Sequence, residues 1–321
     1  MDTNERYDVV VVGGGAAGLS AALVLGRSRR RTLVVDAGEP RNAPAAHMQG
    51  YLSRDGMNPA DFLAAGRREI AAYGVGLTSG EVTEVLPDGE DAFVVRLADG
   101  RTAGARRLVV TTGLVDELPD IAGLGARWGR DVLHCPYCHG WEVRDRDFGV
   151  IAHPVTGAHQ ALIVSQWSAD VTLFLHTTAA LPEDQRARVA AAGVEVVTGE
   201  VAGLVIEDDR LTGVRMADGR TVARSVLFAG TRMVPRDGLL TALGAAARPT
   251  PLGPLVTVDE TGRTSVPGVW AAGNAIGLAE QVVNAASGGY RAGVAVNTDL
   301  LLTDLDRAVA SAGPARSASI G

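Results

Sequence analysis

The stretch Asp8-Val9-Val10-Val11-Val12-Gly13-Gly14-Gly15-Ala16-Ala17-Gly18, answered by Thr32-Leu33-Val34-Val35-Asp36, decides the fold. A continuous run of β-branched residues reads as a strand buried on both faces. It runs into a glycine turn and then a helix with Leu19, Ala22, Leu23 and Gly26 at helical spacing. A second strand ends in Asp36. Strand, glycine turn, helix, strand and acid in this order make the dinucleotide fingerprint. Gly13 is expected to make the tight turn, Gly15 to let the backbone approach a pyrophosphate, and Gly18 to let helix and strand pack closely. The helix N-terminus offers free N–H groups and positive dipole to phosphates. Asp36 is expected to accept hydrogen bonds from ribose hydroxyls.

A second unit of the same kind starts near Asp147. Phe148-Gly149-Val150-Ile151-Ala152 reads as a strand, Gly157 to Ser168 as a helix, and Val171-Thr172-Leu173-Phe174-Leu175 as a second strand. The turn between them has lost its glycines and reads Ala152-His153-Pro154-Val155-Thr156-Gly157. Proline lacks the N–H that a phosphate would use, and its ring blocks close approach. His176-Thr177-Thr178 follows the second strand, with no arginine to pair a 2′-phosphate. This unit is therefore expected to keep the fold and to have lost its nicotinamide cofactor.

The remaining segments describe one domain inserted in another. Arg107 to Gly113 is a strand ending in a glycine turn, and Ser225 to Thr231 repeats it. Gly268-Val269-Trp270-Ala271-Ala272-Gly273-Asn274 is another strand-to-turn. It precedes a long helix with small residues at Ala285, Ala286, Gly288, Gly289, Ala292 and Gly293, suited to packing or to ligand approach. The expected architecture is α/β, with two Rossmann-like domains. Residues 1–117 and 246–321 form the first, residues 118–245 the inserted one, and the Pro/Gly stretch Arg248 to Pro254 is the return linker.

The 321 residues suffice for two cores, and 46% are hydrophobic, as in a soluble globular protein. With a net charge of −7, nothing suggests a nucleic-acid partner. The basic run Arg27 to Arg31 reads as solvated charge between helix and strand. Met1 to Arg6 has no apolar segment and no stretch reaches membrane-spanning length, so a cytoplasmic address without membrane association is expected. The tail from Ala308 is small and polar and is expected to fray.

There are two cysteines, Cys135 and Cys138, in Cys135-Pro136-Tyr137-Cys138-His139-Gly140. With no other cysteine, a framework of structural disulfides is excluded. A lone CxxC in a reducing compartment means redox chemistry or metal binding. A zinc site would need a second dithiol half, so no metal is expected. His139 and His134 flank the pair, and imidazole titrates near neutrality. His139 is the better candidate base, with His134 second. Tyr137 and Trp141 line a substrate pocket or pack. His153, His159 and His176 read as surface or loop residues.

Gly13-x-Gly15-x-x-Gly18, Thr111-Thr112-Gly113, the CxxC at the start of the second domain, and Ala271-Ala272-Gly273-Asn274 with Gln281-Val282 resemble the low-molecular-weight thioredoxin reductases. The resemblance covers nearly the whole chain. It implies FAD in the first domain, a degenerate NADPH-type domain inserted in it, and a homodimer. It further implies Cys138 over the flavin and Cys135 facing the substrate. Asn274 would contact the ribityl chain or phosphate, and the Gln281-Val282 backbone the flavin pyrimidine edge. Ala16, Ala17, Arg41, Asn42, Gln49, Val82, Thr112 and Gly113 complete the implied cofactor set.

The departures matter as much. His139 stands where those reductases carry Asp, Gly273-Asn274 where they carry Gly-Asp, and Glu280 where they carry Arg. The variant Cys135-Pro-Tyr-Cys-His-Gly-Trp-Glu142, with Arg41-Asn42 and His47-x-Gln49, resembles FAD-dependent dithiol oxidases. These close disulfides in small natural products such as gliotoxin and holomycin. That likeness implies a small-molecule dithiol substrate, O2 as acceptor, H2O2 as product, and no NADPH. The rival expectations are a thioredoxin reductase fed by NADPH or ferredoxin, and a non-enzymatic flavin redox sensor.

Overall fold

The protein is described by a computed structural model over residues 5–312. The valine run is a strand, β1 (Arg6–Val12), with Val9 to Val12 buried. It lies parallel between β2 (Thr32–Asp36) and β6 (Thr102–Val110), pairing Val9 with Thr32 on one side and with Arg107 on the other. β3 (Gly76–Ser79) extends the sheet beyond β2. β5 (Phe93–Leu97) and β4 (Val82–Pro87) continue it antiparallel from the lower half of β6. The upper half of β6 is completed by a late segment, β19 (Val269–Ala271), which pairs Val269 with Leu108 and Ala271 with Val110. The chain thus returns late to its first sheet.

Side-chain alternation splits the core into two layers. Val9, Val11, Val34, Val109 and Trp270 point toward α1 (Ala16–Arg27), α2 (Pro59–Ala71) and α8 (Val282–Ala312). Val10, Val12, Leu33, Val35, Leu108 and Val110 point to the other face, against Phe93, Val95, Leu240 and Val256. Burying side chains of this size contributes about 1.5–3 kcal/mol each. The small residues on α8 serve packing. A Cβ at Gly289 would sit 1.9 Å from the Ala17 carbonyl oxygen, and one at Gly293 would sit 2.3 Å from a Val24 methyl. The two helices therefore meet backbone to backbone.

The basic run does more than face solvent. Arg30 Nε donates to Asn297 Oδ1 at 2.8 Å and its guanidinium pairs with Asp304 at 3.2 Å, which ties α8 to the end of α1. Arg27, Arg29 and Arg31 keep the expected surface character, with Arg27 over the Tyr73 ring and Arg31 paired with Glu5 at 3.1 Å.

A two-stranded antiparallel ribbon, β7 (Leu114–Glu117) with β16 (Arg232–Pro235), carries the chain out and back. Between its legs lies a second parallel sheet, ordered β11 (Glu195–Val197), β10 (Val171–Phe174), β9 (Phe148–Ile151), β15 (Val226–Ala229), β8 (Val132–Leu133). One face packs on α5 (His159–Val164) and on α6 (Glu183–Ala191). The other packs on an antiparallel meander, β12 (Val201–Glu207), β13 (Arg210–Met216) and β14 (Thr221–Ala223), and on α3 (Leu124–Arg127). The molecule is thus α/β with two sheets of the dinucleotide-fold type. We propose the ribbon as the boundary between them.

Three local expectations differ from the structure. The Gly157–Ser168 helix is shorter because Gly157 adopts φ +56°, which no right-handed helix allows, and because Gln166 and Trp167 close tight turns after Val164. The Pro/Gly stretch is no linker. It is the tip of a hairpin, β17 (Ala247–Arg248) with β18 (Leu255–Val256), closed by reciprocal Thr250–Gly253 backbone bonds of 3.1 Å. The short helix α7 (Gly238–Ala242) precedes it and buries Leu240 in the first-sheet core. Finally, the tail expected to fray from Ala308 is helical to Ala312, and the rest of it, 313–321, lies outside the described residues. Among the described residues no helix is long and apolar enough to cross a membrane.

Candidate active site

Both parallel sheets end their strands on one cavity of about 1710 Å³. Sites for single drug-sized ligands run to about 1,000 Å³, so this one has room for a dinucleotide and a further small molecule. From the first sheet it is lined by Gly13, Gly15, Ala16, Ala17, Asp36 and Val82, with Arg41, Asn42, Thr112 and Gly113. Gly273, Asn274, Gln281 and Val282 close it from the C-terminal segment. The inserted unit contributes His134, Cys135, Cys138 and His139. Two predicted residues are elsewhere. Gln49 does not reach the lining. Gly18 sits behind it, where a Cβ would meet the Gly13 carbonyl oxygen at 1.9 Å.

The glycine turn has the form a pyrophosphate needs. Gly13 adopts φ +106°, and a Cβ there would meet the Thr111 carbonyl at 2.4 Å. Gly15 is the N-cap of α1 and no side chain caps the helix. A Cβ on Gly15 would meet nothing within 4 Å, so it would project into the cavity and fill the cradle. The Asp36 carboxylate accepts Gly14 N–H at 3.1 Å and pairs with Arg67 at 2.9 Å. This fixes the acid beside the turn, where the ribose hydroxyls of a bound FAD would lie. The residues present fit that cofactor.

Cys135 and Cys138 form a disulfide with Cα atoms 5.2 Å apart. Cys135 is the N-cap of the one-turn helix α4 (Pro136–His139), and Cys138 lies within it. The Cys135 sulfur accepts Cys138 N–H at 3.1 Å, and Pro136 sits where a missing N–H costs nothing. Gly140 lets Trp167 close on the turn: a Cβ there would lie 2.8 Å from the indole. Tyr137 packs edge-on against Trp167 and lines the cavity. Trp141 does not line it, and instead lies under the Arg144 guanidinium at 4.0 Å.

His139 follows Cys138 on this turn. Burial lowers its pKa below the ordinary histidine value, with Glu142 opposing, and among the described residues its ring makes no hydrogen bond. Burial thus favours its neutral form. His134 is more committed. Its Nδ1 lies 3.2 Å from the Ala229 carbonyl oxygen, and burial holds its pKa low against that bond and the charge of Asp116.

Four features were missed at the level of sequence. Arg41 grips Asp116 with two bonds, of 2.7 and 2.9 Å, and Thr231 adds a third at 2.7 Å. Burial alone would raise the Asp116 pKa, but these partners outweigh it and hold the carboxyl below its usual range. Asn274 donates from Nδ2 to the carbonyls of Gly277, Leu278 and Glu280 at 2.8–3.3 Å, a role that an Asp carboxylate could not fill. The side chain of Gln281, and not only its backbone, stands at the sulfurs: Oε1 is 3.2 Å from Cys138 Sγ and Nε2 is 3.6 Å from Cys135 Sγ.

His153, expected as a surface or loop residue, does stand in the loop, where it lines the cavity and satisfies the altered turn from within. Its Nδ1 accepts Val155 N–H at 3.1 Å and Thr156 N–H at 3.3 Å. Gly157 N–H goes to the His153 carbonyl at 2.7 Å, and Ala158 N–H goes to Gln185 Oε1 at 3.1 Å. His159 also lines the cavity, whereas His176 caps Val201 N–H at 3.1 Å.

The profile of the pyridine nucleotide-disulphide oxidoreductase family matches residues 7–289. The thioredoxin reductase tcpT of Claviceps purpurea (strain 20.1) is 30% identical over 94% of this chain and 96% of its own length. The thioredoxin reductase sirT of Leptosphaeria maculans is 30% identical over 93% and 96%. Among solved structures, HlmI superposes with a TM-score of 0.91 at 50% identity, covering 97% of each chain. An oxidoreductase from Agrobacterium tumefaciens superposes with a TM-score of 0.86 at 37% identity, covering 92% and 99%.

Proposed function

We propose that this chain, which belongs to the pyridine nucleotide-disulphide oxidoreductase family and is an FAD-dependent disulfide oxidoreductase, works as a dithiol oxidase on a small molecule. The observation that carries the reading is the turn His153–Ala158. A phosphate binds such a turn through free backbone N–H groups. Here residue 154 is proline, and the N–H groups of Val155, Thr156, Gly157 and Ala158 already have acceptors inside the protein. A nicotinamide dinucleotide would have to displace the histidine to bind. Electrons therefore enter through the sulfurs, from a substrate dithiol.

The cycle starts from the Cys135–Cys138 disulfide. A substrate thiolate attacks Cys135, which forms a mixed disulfide and releases Cys138 as thiolate. The second substrate thiol gives up its proton to neutral His139 and displaces Cys135. The substrate leaves as a closed disulfide, and the enzyme holds both electrons on the reduced cysteine pair, with the one proton taken up by His139. A bound FAD would supply the acceptor for that electron pair, with O2 as final oxidant and H2O2 as product. Gly13, Gly15, Ala16 and Ala17 would hold its pyrophosphate, Asp36 its ribose, and Gly273, Asn274 and the Gln281-Val282 backbone its flavin side. Val82, Thr112 and Gly113 complete the walls.

The setting of this reading is a cytoplasmic homodimer. The exposed apolar residues Tyr290, Val294, Leu301 and Leu305 follow helical spacing along α8 and offer a face for a second copy. A ferredoxin-type electron protein would also dispense with the nucleotide turn and would drive the cysteines in the opposite direction. Oxygen uptake separates the two. With a small dithiol and air alone, the oxidase consumes oxygen and releases peroxide in many turnovers. A reductase fed by a protein donor does not.

A further inference from the structure

The cycle begins with a substrate thiolate and passes the proton of the second thiol to His139. The proton of the first thiol still needs an acceptor. An ordinary thiol titrates near 8.5, so only about 3% of it is ionised at pH 7. His134 precedes Cys135 at the end of β8, and both line the cavity. The sheet fixes its ring. Leu133 pairs with Phe228, and just past that last pair His134 Nδ1 meets the Ala229 carbonyl oxygen at 3.2 Å. A carbonyl can only accept, so Nδ1 carries the ring proton and donates it. The lone pair of the neutral imidazole then stands on Nε2, which has no hydrogen-bond partner among the described residues. The Trp128 ring stands 6.3 Å away, centroid to centroid, and Gln160 Nε2 donates to the His134 backbone carbonyl. Ring and backbone are both held.

The surroundings keep this imidazole neutral. Burial holds the His134 pKa below the ordinary histidine value. The Ala229 bond and the charge of Asp116, on the ribbon, oppose it, while Arg41 of the first unit and His153 at the end of β9 act with it. Asp116 is itself bound to Arg41 by two hydrogen bonds, so its charge is largely spent. His153 cannot take the proton as it stands, because its Nδ1 already accepts two backbone N–H groups.

We propose that His134 is a second catalytic base, whose Nε2 takes the proton of the first substrate thiol as that sulfur attacks Cys135. The bond formed is the mixed disulfide between the substrate sulfur and Cys135. The bond broken is Cys135–Cys138, and its electron pair leaves on Cys138. The proton on Nε2 passes to solvent before the next cycle. His134 then acts in the opening step and His139 in ring closure. The assignment rests on the dithiol-oxidase reading.

The test is anaerobic mixing of the FAD-loaded enzyme with dithiothreitol across a pH series, with the second-order rate of flavin bleaching read at low dithiol. In His134→Asn the side-chain amide keeps a donor for the Ala229 carbonyl, but nothing replaces Nε2. The wild-type constant is expected to rise through a midpoint below about 6.5 and then stay level up to the first pKa of the dithiol. The variant should show no level region. It must use thiolate already present in solution, so its constant should climb tenfold per pH unit and lie roughly thirtyfold or more below the wild type at pH 7. Retained flavin absorbance certifies the fold, and His134→Gln, with the same expected profile, replaces a variant that does not fold. A capping role alone would lower the constant alike at every pH. That outcome, or a wild-type constant that climbs without a level region, overturns the proposal. A wild type that dithiothreitol does not bleach at any pH overturns the dithiol-oxidase reading and this assignment with it, so the two failures are told apart.

Discussion

His153 Nδ1 accepts the N–H of Val155 at 3.1 Å, so the turn that would hold a dinucleotide phosphate instead holds its own side chain. The ring also takes Thr156 N–H at 3.3 Å. Replacing His153 with Ala leaves two N–H groups without an acceptor. Equilibrium unfolding should show a loss of about 1–2 kcal/mol. The variant should still fail to oxidise NADPH, because Pro154 and the Gln185 cap remain.

Acid should destabilise the fold through the same cluster. Burial lowers the pKa values of His134, His139 and His153 below the ordinary value, which the unfolded chain restores. The unfolded state then binds more protons as pH falls, so stability is full above about 6.5 and declines through the lower native values. Melting temperatures should fall between about pH 7 and 5. A melting temperature flat over that interval would mean that the imidazoles are not held neutral.

The two fingerprint glycines should fail in different ways. Gly15→Val puts its side chain into open cavity, so the fold should survive while flavin absorbance is lost from the purified protein. Gly18→Ala forces a Cβ to within 1.9 Å of the Gly13 carbonyl oxygen. It should lower stability before it touches cofactor binding. Paired flavin-content and melting measurements distinguish the two.

His139→Ala should slow turnover by about a hundredfold or more, the usual contribution of a positioned base. Flavin content should be unchanged. Because burial lowers the His139 pKa, the acid limb of the wild-type rate should have its midpoint below about 6.5. That limb should vanish in the variant, and a rate profile unaltered by the substitution would remove His139 from the proton path.

Arg41→Ala should cost about 2 kcal/mol, since it strands the Asp116 carboxylate against Thr231. Arg41 lies in the first unit, Asp116 on the outgoing leg of the ribbon, and Thr231 just before the returning leg. Small-angle scattering should then report a broader range of unit orientations than in the wild type. An unchanged scattering curve would deny this cluster a part in fixing them.

What the sequence made legible has a common physical basis. The valine run, its glycine turn and Asp36 are local, and their periodicity and φ requirements are written in neighbouring residues. The return of Val269–Ala271 to β6 was legible because a buried strand ending in Ala272-Gly273 repeats the pattern of the first. Pairings between distant residues carried no local signal. Arg41 looked like a cofactor contact, and its partner Asp116 is 75 residues away. Gln281 meets Cys135 across 146 residues. The hairpin at Arg248–Leu255 was read as a linker because proline and glycine mark a turn without saying what it joins. His153 was read as a surface or loop residue and does lie in a loop, but nothing local says that its ring will fold back onto its own turn.

The central claim is that electrons enter at the sulfurs and not through a nicotinamide. Its most direct test is the flavin absorbance band of the purified holoenzyme under strict anaerobiosis, first with NADPH and then with a small dithiol. The band should be unchanged by NADPH, bleached by the dithiol, and restored by air with release of hydrogen peroxide. Prompt bleaching by NADPH would contradict it.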